Sequence, residues 1–166
     1  MKISKLSPLP VLASVLALCS ASVSQGHIRH IPTVLHLPAV AIPVDVGDLG
    51  QTESLFLITA YEQFDQLFGD GASAAAGIDF KSQWVFFYSA GLLPTGGYEA
   101  LVEDIMYTPV AQSLVITTQL LSPGESCAVP QMVTKPNILV KFPKPSGEID
   151  MVRLQKDDQT VDCTDN

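Results

Sequence analysis

The spacing of apolar residues changes from helical to strand-like about halfway through the chain. It predicts one short helix over Ala60–Phe68, for which Thr59 supplies an N-cap and Gly69 a stop. Residues 72–77, small and glycine-containing, are expected to form a flexible connector. The apolar residues of the helix recur at i, i+3, i+6 and i+7 and so share one face: Tyr61, Phe64, Leu67 and Phe68.

Most other apolar segments have the short, alternating or continuous pattern of β-strands. Trp84–Tyr88 is an unbroken aromatic and β-branched run, which predicts a strand buried on both faces. Tyr98–Tyr107 alternates with one slip. Short turns rich in proline and glycine predict a mainly β fold, an antiparallel β-sandwich or small barrel with one short N-terminal helix. The other predicted strands are Ser54–Ile58, Ser113–Leu121, Ile138–Phe142 and Ile149–Leu154.

The first residues have the order of a secretory signal peptide. Lys2 and Lys5 precede the apolar run Val11–Cys19, and small residues follow it. Cleavage after Ala21 or after Ser24 satisfies the preference of signal peptidase for small residues. The run has about half of the roughly 20 residues that a membrane-spanning helix needs. We therefore expect residues 1–24 to be a cleaved signal and the remaining protein to be extracytoplasmic, either periplasmic or secreted.

Cys19 leaves an alternative open. The segment Leu16–Cys19 has the approximate shape of a lipoprotein box, in which the cysteine becomes acylated. Such boxes usually have Gly, Ala or Ser before the cysteine, and this chain has Leu18. A cysteine inside the apolar part of a cleaved signal is the simpler interpretation.

Charge restricts the kinds of partner. Without residues 1–24, about 142 residues remain, enough for one domain, and the formal net charge changes from −8 to about −10. Such a charge disfavours nucleic acids and anionic lipids and favours a basic partner. We divide this part of the chain into a proline-rich extended arm (25–53), a β domain that includes the short helix (54–156) and an acidic tail (157–166).

Cys127 and Cys163 are the two cysteines that follow the signal. In an oxidising compartment the simplest prediction for two cysteines is a disulfide. This bond would attach the acidic tail to the domain and close a loop of roughly 35 residues. Two unpaired thiols are the alternative.

The most distinctive motif is the turn Pro94-Thr95-Gly96-Gly97-Tyr98 between two predicted strands. Proline fixes φ, and either glycine can adopt the positive φ of a tight turn. The motif predicts either a plain hairpin turn or a loop that presents its backbone and Tyr98 to a protein partner. Tyrosine suits the second role because it is large, rigid and polar at one end.

These residues and their neighbours resemble the C-terminal domain of the PrcB family of protease-complex subunits. The resemblance covers roughly residues 79–143, and the Thr-Gly-Gly-Tyr turn is its most specific part. It implies a non-catalytic, exported accessory domain that associates with and stabilises a protease. The family has an aromatic residue where this chain has Asn137. The resemblance rests on Asp79-Phe80, Trp84–Tyr88, Pro94–Tyr98, Pro123-Gly124, Cys127–Gln131, Thr134–Pro136 and Ile138–Phe142.

Two other functions remain open. The Pro94–Tyr98 turn is also similar to a loop of chagasin-type inhibitors of cysteine proteases, small exported β-sandwiches whose loop enters the protease cleft. The alternative function is therefore a protease inhibitor that presents the Thr-Gly-Gly-Tyr loop. A structural envelope protein with another partner is the third.

Catalysis and metal binding have little support in the sequence. His27, His30 and His36 all lie in the extended arm, where a catalytic base would not be held rigidly. No Gly-x-Ser-x-Gly motif surrounds Ser89 or Ser122. The acidic tail lacks the spaced oxygen ligands of a calcium loop. We expect a protein that is not an enzyme, with no cofactor and no metal.

Overall fold

The computed structural model describes residues 33–163. The predicted signal peptide, Cys19, His27 and His30 lie outside these residues. The elements are, in chain order, β1 (Leu35–His36), β2 (Val40–Ala41), a 3₁₀ helix (Gly47–Gln51), β3 (Glu53–Ile58), α1 (Tyr61–Phe68), α2 (Ala72–Ala75), β4 (Gln83–Ala90), β5 (Glu99–Thr108), β6 (Ser113–Pro123), β7 (Asn137–Pro143), β8 (Met151–Lys156) and β9 (Gln159–Val161).

The strands form two sheets, which confirms the mainly β prediction. The five-stranded sheet has the order β1-β5-β6-β8, and β9 pairs with β6 as well. The four-stranded sheet has the order β2-β7-β4-β3. The slip predicted in the alternation of β5 is a bulge between Val102 and Asp104.

The inner faces of the two sheets share one hydrophobic core. Phe86 and Tyr88 of β4 pack in the same cluster as Tyr107 of β5 and Leu114 and Ile116 of β6. Two open sheets joined through such a core correspond to the sandwich rather than the barrel of the sequence prediction.

A second core lies on the outer face of the four-stranded sheet. Val85 and Phe87 of β4 pack there with Phe64 of α1 and with Phe80, which precedes β4. Because side chains alternate along a strand, β4 supplies residues to both cores. This confirms that the continuous apolar run 84–88 is a strand buried on both faces.

The helical part of the chain differs in two details from the sequence prediction. The N-cap residue of α1 is Ala60, not Thr59, and the Gln63 side chain instead accepts a hydrogen bond from the Thr59 N–H at 2.9 Å. The expected flexible connector contains the short helix α2, where the Asp65 carboxylate accepts the Ser73 N–H at 2.8 Å. Side-chain hydrogen bonds from Gln63 and Asp65 therefore hold two backbone segments whose structure the sequence pattern did not predict.

Not every strand pair is antiparallel, which corrects the sequence prediction. β8 and β9 run parallel to β6 along the same edge of the five-stranded sheet. The chain leaves β6, forms β7 in the other sheet and then returns, so β8 and β6 have the same direction. A periodicity of two cannot distinguish parallel from antiparallel neighbours.

The proposed arm and tail both contribute short strands to the sheets. β1 and β2 pair with β5 and β7, one in each sheet. The tail, expected to be loose apart from Cys163, contains β9. The division into arm, domain and tail stays a prediction.

Candidate binding surface at the loop between the sheets

The Pro94–Tyr98 turn belongs to the loop formed by residues 91–98, which connects β4 to β5. These two strands lie in different sheets, so the hairpin interpretation is wrong. β4 already has β3 and β7 as neighbours, which leaves no edge of β4 for β5. The loop therefore crosses from one sheet to the other at one end of the sandwich.

Hydrogen bonds attach this loop to the segment formed by residues 129–134. Leu93 and Thr134 form an antiparallel bridge in which each N–H donates to the other carbonyl at 2.9 Å. The Thr134 hydroxyl also donates to the Thr95 carbonyl at 2.7 Å. The Gly96 N–H donates to the Pro130 carbonyl at 2.8 Å. Four hydrogen bonds across a short contact fix the loop relative to its neighbour.

Close packing explains the two consecutive glycines. A Cβ atom on Gly96 would lie 3.0 Å from Cδ of Pro130. Gly97 has φ +86°, and a Cβ atom there would lie 2.8 Å from Cγ1 of Val129. Gly97 thus has two independent reasons to be glycine, a left-handed backbone and a close neighbour. This requirement is structural and does not depend on a partner.

The five predicted partner-binding residues differ in their access to solvent. Pro94 and Gly97 are exposed, whereas Thr95 and Tyr98 are half-buried and Gly96 is buried. The Thr95 carbonyl and the Gly96 N–H are already used inside the protein. Contact of these residues with a partner stays a prediction.

Sequence reasoning missed the apolar side chains that surround the loop. Leu92, Met132 and Val133 are 51%, 59% and 63% exposed, and all three lie within two residues of the Leu93–Thr134 bridge. We call Leu92, Pro94, Met132 and Val133 the loop surface. Exposed large apolar residues that cluster in this way are typical of protein-binding surfaces. The bridge and the hydrogen bond from Thr134 to Thr95 bring residues 92–94 and 132–134 together, so no local pattern could have revealed the cluster.

The predicted disulfide is present beside the loop. Cys127 and Cys163 are bonded, with their Cα atoms 4.9 Å apart. The bond lies in a groove of about 340 Å³ that also contains Gly97 and Glu99. The rest of the groove is mostly apolar, with Leu121, Pro123, Val129, Pro130 and Val161 among its lining residues.

Ionisable groups with perturbed pKa values lie away from the loop surface. Burial raises the pKa of Tyr88 in the core between the sheets. A hydrogen bond with Glu53 raises the pKa of Lys156 on β8. Hydrogen bonds from Ser73 and from Ser82 lower the pKa values of Asp65 and Asp79, respectively, near the helices.

His36 is the predicted arm histidine that the structure describes. Its Nδ1 lies 2.9 Å from an Asp104 carboxylate oxygen, which connects the arm to β5 at an exposed position. Between residues 33 and 163, no group of three or more His, Cys, Asp or Glu side chains is arranged to hold a metal ion. In the same range no helix has the length and apolar character needed to cross a membrane.

One family model matches part of the chain. Residues 85–143 match the family model described as PrcB C-terminal. The match extends from β4 to the end of β7 and includes the whole loop between the sheets. It confirms the resemblance to the PrcB family, over a slightly shorter range than residues 79–143. No curated protein and no solved structure matches the chain, and the similarity to chagasin-type inhibitors stays a prediction.

Proposed function

Because residues 85–143 match a PrcB C-terminal domain, we propose that this chain is a non-catalytic, extracytoplasmic accessory protein that binds and stabilises a protease. The family name refers to a protease complex, and the sequence begins with the pattern of an export signal. The partner-binding site in this proposal is the loop surface.

The observation that carries the site assignment is the combination of exposed apolar side chains with a fixed backbone. Met132 and Val133 stay more than half exposed although the backbone next to them is bonded to the loop through Thr134. Apolar groups on a fixed backbone lose little conformational freedom on binding, which favours affinity.

The loop geometry favours an accessory protein over an inhibitor. In the inhibitor hypothesis the Thr-Gly-Gly-Tyr loop makes backbone contacts in a protease cleft. The Thr95 carbonyl and the Gly96 N–H instead form hydrogen bonds inside the domain, to Thr134 and Pro130. Side chains of the loop surface, rather than its backbone, are therefore the groups available to a partner.

The test is affinity capture with variants that change only exposed side chains. The domain from residue 25 onward is immobilised and exposed to an extracytoplasmic extract. Met132→Asp combined with Val133→Asp should reduce the retained protease about tenfold or more, since apolar contact residues dominate such interfaces. Val110→Asp is the matched control, because Val110 is 69% exposed in the turn at the other end of β5. Equal retention by both variants would remove the loop surface from the proposal.

Gly97 and Tyr98 are less informative positions for this test. A valine at Gly97 would collide with Val129 and strain the backbone, so loss of binding could reflect a distorted loop. Tyr98→Ala removes a half-buried ring and needs a stability measurement beside it.

An activity assay separates the functional classes. The captured protease is incubated with the domain, and its hydrolysis rate and half-life are measured. A longer half-life at an unchanged initial rate is expected for an accessory protein. Inhibition at submicromolar concentration would support the inhibitor instead. Retention of envelope material without a protease would support a structural component.

A further inference from the structure

β9 has little attachment to the domain apart from the Cys127–Cys163 bond. Its three residues are all exposed, and none of them belongs to either hydrophobic core. β9 pairs in parallel with the last three residues of β6, 121–123, whereas the buried residues of β6 end at Thr118. A three-residue strand without a buried side chain gains little from its own hydrogen bonds. The covalent bond is therefore what holds β9 in place.

The chain is attached more firmly just before β9. β8 pairs with six residues of β6, and the Asp157 N–H that follows it donates to the Thr118 carbonyl at 2.9 Å. At β9 itself, the Gly124 N–H donates to the Val161 carbonyl at 2.8 Å. A release of the tail would therefore stop at Asp157 and leave β8 in the sheet.

β9 and the disulfide form part of the wall of the groove of about 340 Å³ beside the loop between the sheets. Val161 and Cys163 line this groove together with Gly97 of the loop and Val129 of the segment bonded to the loop. The three residues of β6 that pair with β9, 121–123, line it as well. Displacement of β9 would therefore widen the groove and uncover the backbone edge of β6 at these three residues.

The disulfide is accessible while the domain is folded. Cys163 is exposed, and Cys127 is half-buried in the wall of the groove. Neither cysteine belongs to a hydrophobic core. A thiolate can reach the bond without unfolding the domain, and such access is typical of disulfides that exchange with thiols.

We propose that the Cys127–Cys163 bond is a thiol-exchange site and that its reduction by a dithiol in the folded domain releases β9 and opens the groove. A thiolate of the dithiol attacks the Cys163 sulfur, the bond breaks, and Cys127 leaves as a thiolate that takes up a proton. The second thiol of the dithiol then attacks the mixed disulfide and releases Cys163 as a thiol. The protein gains two electrons and two protons, and the dithiol becomes a disulfide. The proposal does not depend on a protease partner or on the loop surface.

The first test counts thiols in the folded protein. The protein from residue 25 onward contains two cysteines and one tryptophan, Trp84, which packs against Phe142. It is incubated with dithiothreitol and then with N-ethylmaleimide, and mass spectrometry counts the labels. We expect two labels while Trp84 keeps the fluorescence of the folded protein. Labels that appear only after this fluorescence has changed to that of the unfolded protein would overturn the proposal.

Amide hydrogen exchange shows which part of the chain is released. Gly124 reports on β9 because its N–H donates to Val161, and Asp157 reports on the end of β8 because its N–H donates to Thr118. We expect reduction to accelerate exchange at Gly124 at least about tenfold and at Asp157 less than about threefold. Re-oxidation with oxidised glutathione should restore slow exchange at Gly124. Equal acceleration at the two amides, or none at Gly124, would contradict the release of β9.

The double variant Cys127→Ser with Cys163→Ser is the matched control for the reductant. Its Gly124 amide should exchange quickly with and without dithiothreitol, because the bond is absent in both conditions. A response of this variant to dithiothreitol would assign the effect to something other than the disulfide. Slow exchange at Gly124 in the variant would show that β9 stays in place without the bond and would also overturn the proposal.

Gly124→Ala tests the coupling between β9 and the bond without changing a cysteine. A Cβ atom on Gly124 would collide with Oδ1 of Asp162 and lie 3.1 Å from its Cα, so alanine should displace the end of β9. Coupling is reciprocal, and a variant that displaces β9 should therefore be reduced more readily. We expect its equilibrium constant for reduction by dithiothreitol to rise at least about fivefold. Gly50→Ala, whose Cβ would lie at an ordinary 3.4 Å from Cγ2 of Val46, should leave this constant unchanged. Equal constants for the two variants would show that β9 and the bond are not coupled.

Discussion

Strands β4 and β8 have similar lengths and opposite environments. β4 lies inside the four-stranded sheet, with Phe86 and Tyr88 in the core between the sheets and Phe87 under the helices. β8 lies at an edge, and all six of its residues are exposed. The comparison separates two uses of apolar residues. Those of β4 are buried by the protein itself and stabilise its fold, whereas those of β8 stay at least 40% exposed at the edge of the sheet.

The largest expected effect tests this difference directly. Phe87→Ala should lower the free energy of unfolding by about 3–5 kcal/mol, because it leaves a cavity between the sheet and the helices. Leu154→Ala should lower it by about 1 kcal/mol or less, since that side chain is already 40% exposed. Urea unfolding of both variants measures the contrast. Similar losses would mean that β8 contributes to stability as β4 does.

Removal of the disulfide should have the next largest effect on stability. We expect this effect mainly at the edge of the five-stranded sheet that contains β9. The replacement of Cys127 and Cys163 by serine removes a link across 36 residues, worth about 2–4 kcal/mol in unfolding experiments. Amide exchange should become faster in β9, which ends two residues before Cys163, and stay slow in β4. Equal acceleration in the two strands would show that the bond stabilises the whole domain rather than its edge.

The ion pair between β8 and β3 should have a small effect. Lys156→Met removes the 2.6 Å contact with Glu53, which joins β8 of the five-stranded sheet to β3 of the four-stranded sheet. Because both side chains are partly solvated, we expect a loss of about 1 kcal/mol or less, reduced further by salt. Lys144→Met, at another exposed lysine, is the control for the loss of a positive charge. A larger loss that is insensitive to salt would indicate a structural role for this pair.

The smallest effect is expected at low pH and concerns the helices that cover β4. The Ser73 N–H lowers the pKa of Asp65, and the Ser82 hydroxyl and the Lys81 N–H lower that of Asp79, in each case from an ordinary value of 3.8. A lowered pKa contributes stability that is complete above the ordinary value and is lost as the pH falls through the folded value. The melting temperature should therefore decrease below about pH 4.

Substitution identifies the groups responsible for this acid sensitivity. Asp65→Asn combined with Asp79→Asn should flatten the decrease, whereas Asp70→Asn at an exposed position should leave it unchanged. An identical acid profile in all three proteins would assign the loss to other carboxylates.

Sequence patterns predicted most strands and the helix region because those signals are local. The run 84–88 indicated a strand buried on both faces, and the slip in 98–107 indicated the bulge of β5. Residues 72–77 were misjudged because the carboxylate of Asp65, eight residues before Ser73, accepts the Ser73 N–H in the first turn of α2. The N-cap at Thr59 was wrong for a similar reason, since Gln63 forms the hydrogen bond instead.

The candidate site was harder to predict because it depends on contacts distant in sequence. The turn motif directed attention to residues 94–98, but its glycines are explained by packing against Val129 and Pro130. Met132 and Val133 become neighbours of the loop through tertiary hydrogen bonds, among them those of the Leu93–Thr134 bridge. Apolar residues in a connecting segment do not reveal by themselves whether they will be covered.

The sequence by itself determined the mainly β class, the cysteine pair and the resemblance to the PrcB family, since composition, periodicity and short motifs are properties of neighbouring residues. Tertiary structure alone decided that β4 and β5 lie in different sheets and that β8 runs parallel to β6. It also decided which apolar side chains stay exposed. The physical reason is that strand partners and solvent access depend on chain crossings between sheets, and a local sequence pattern does not encode those crossings.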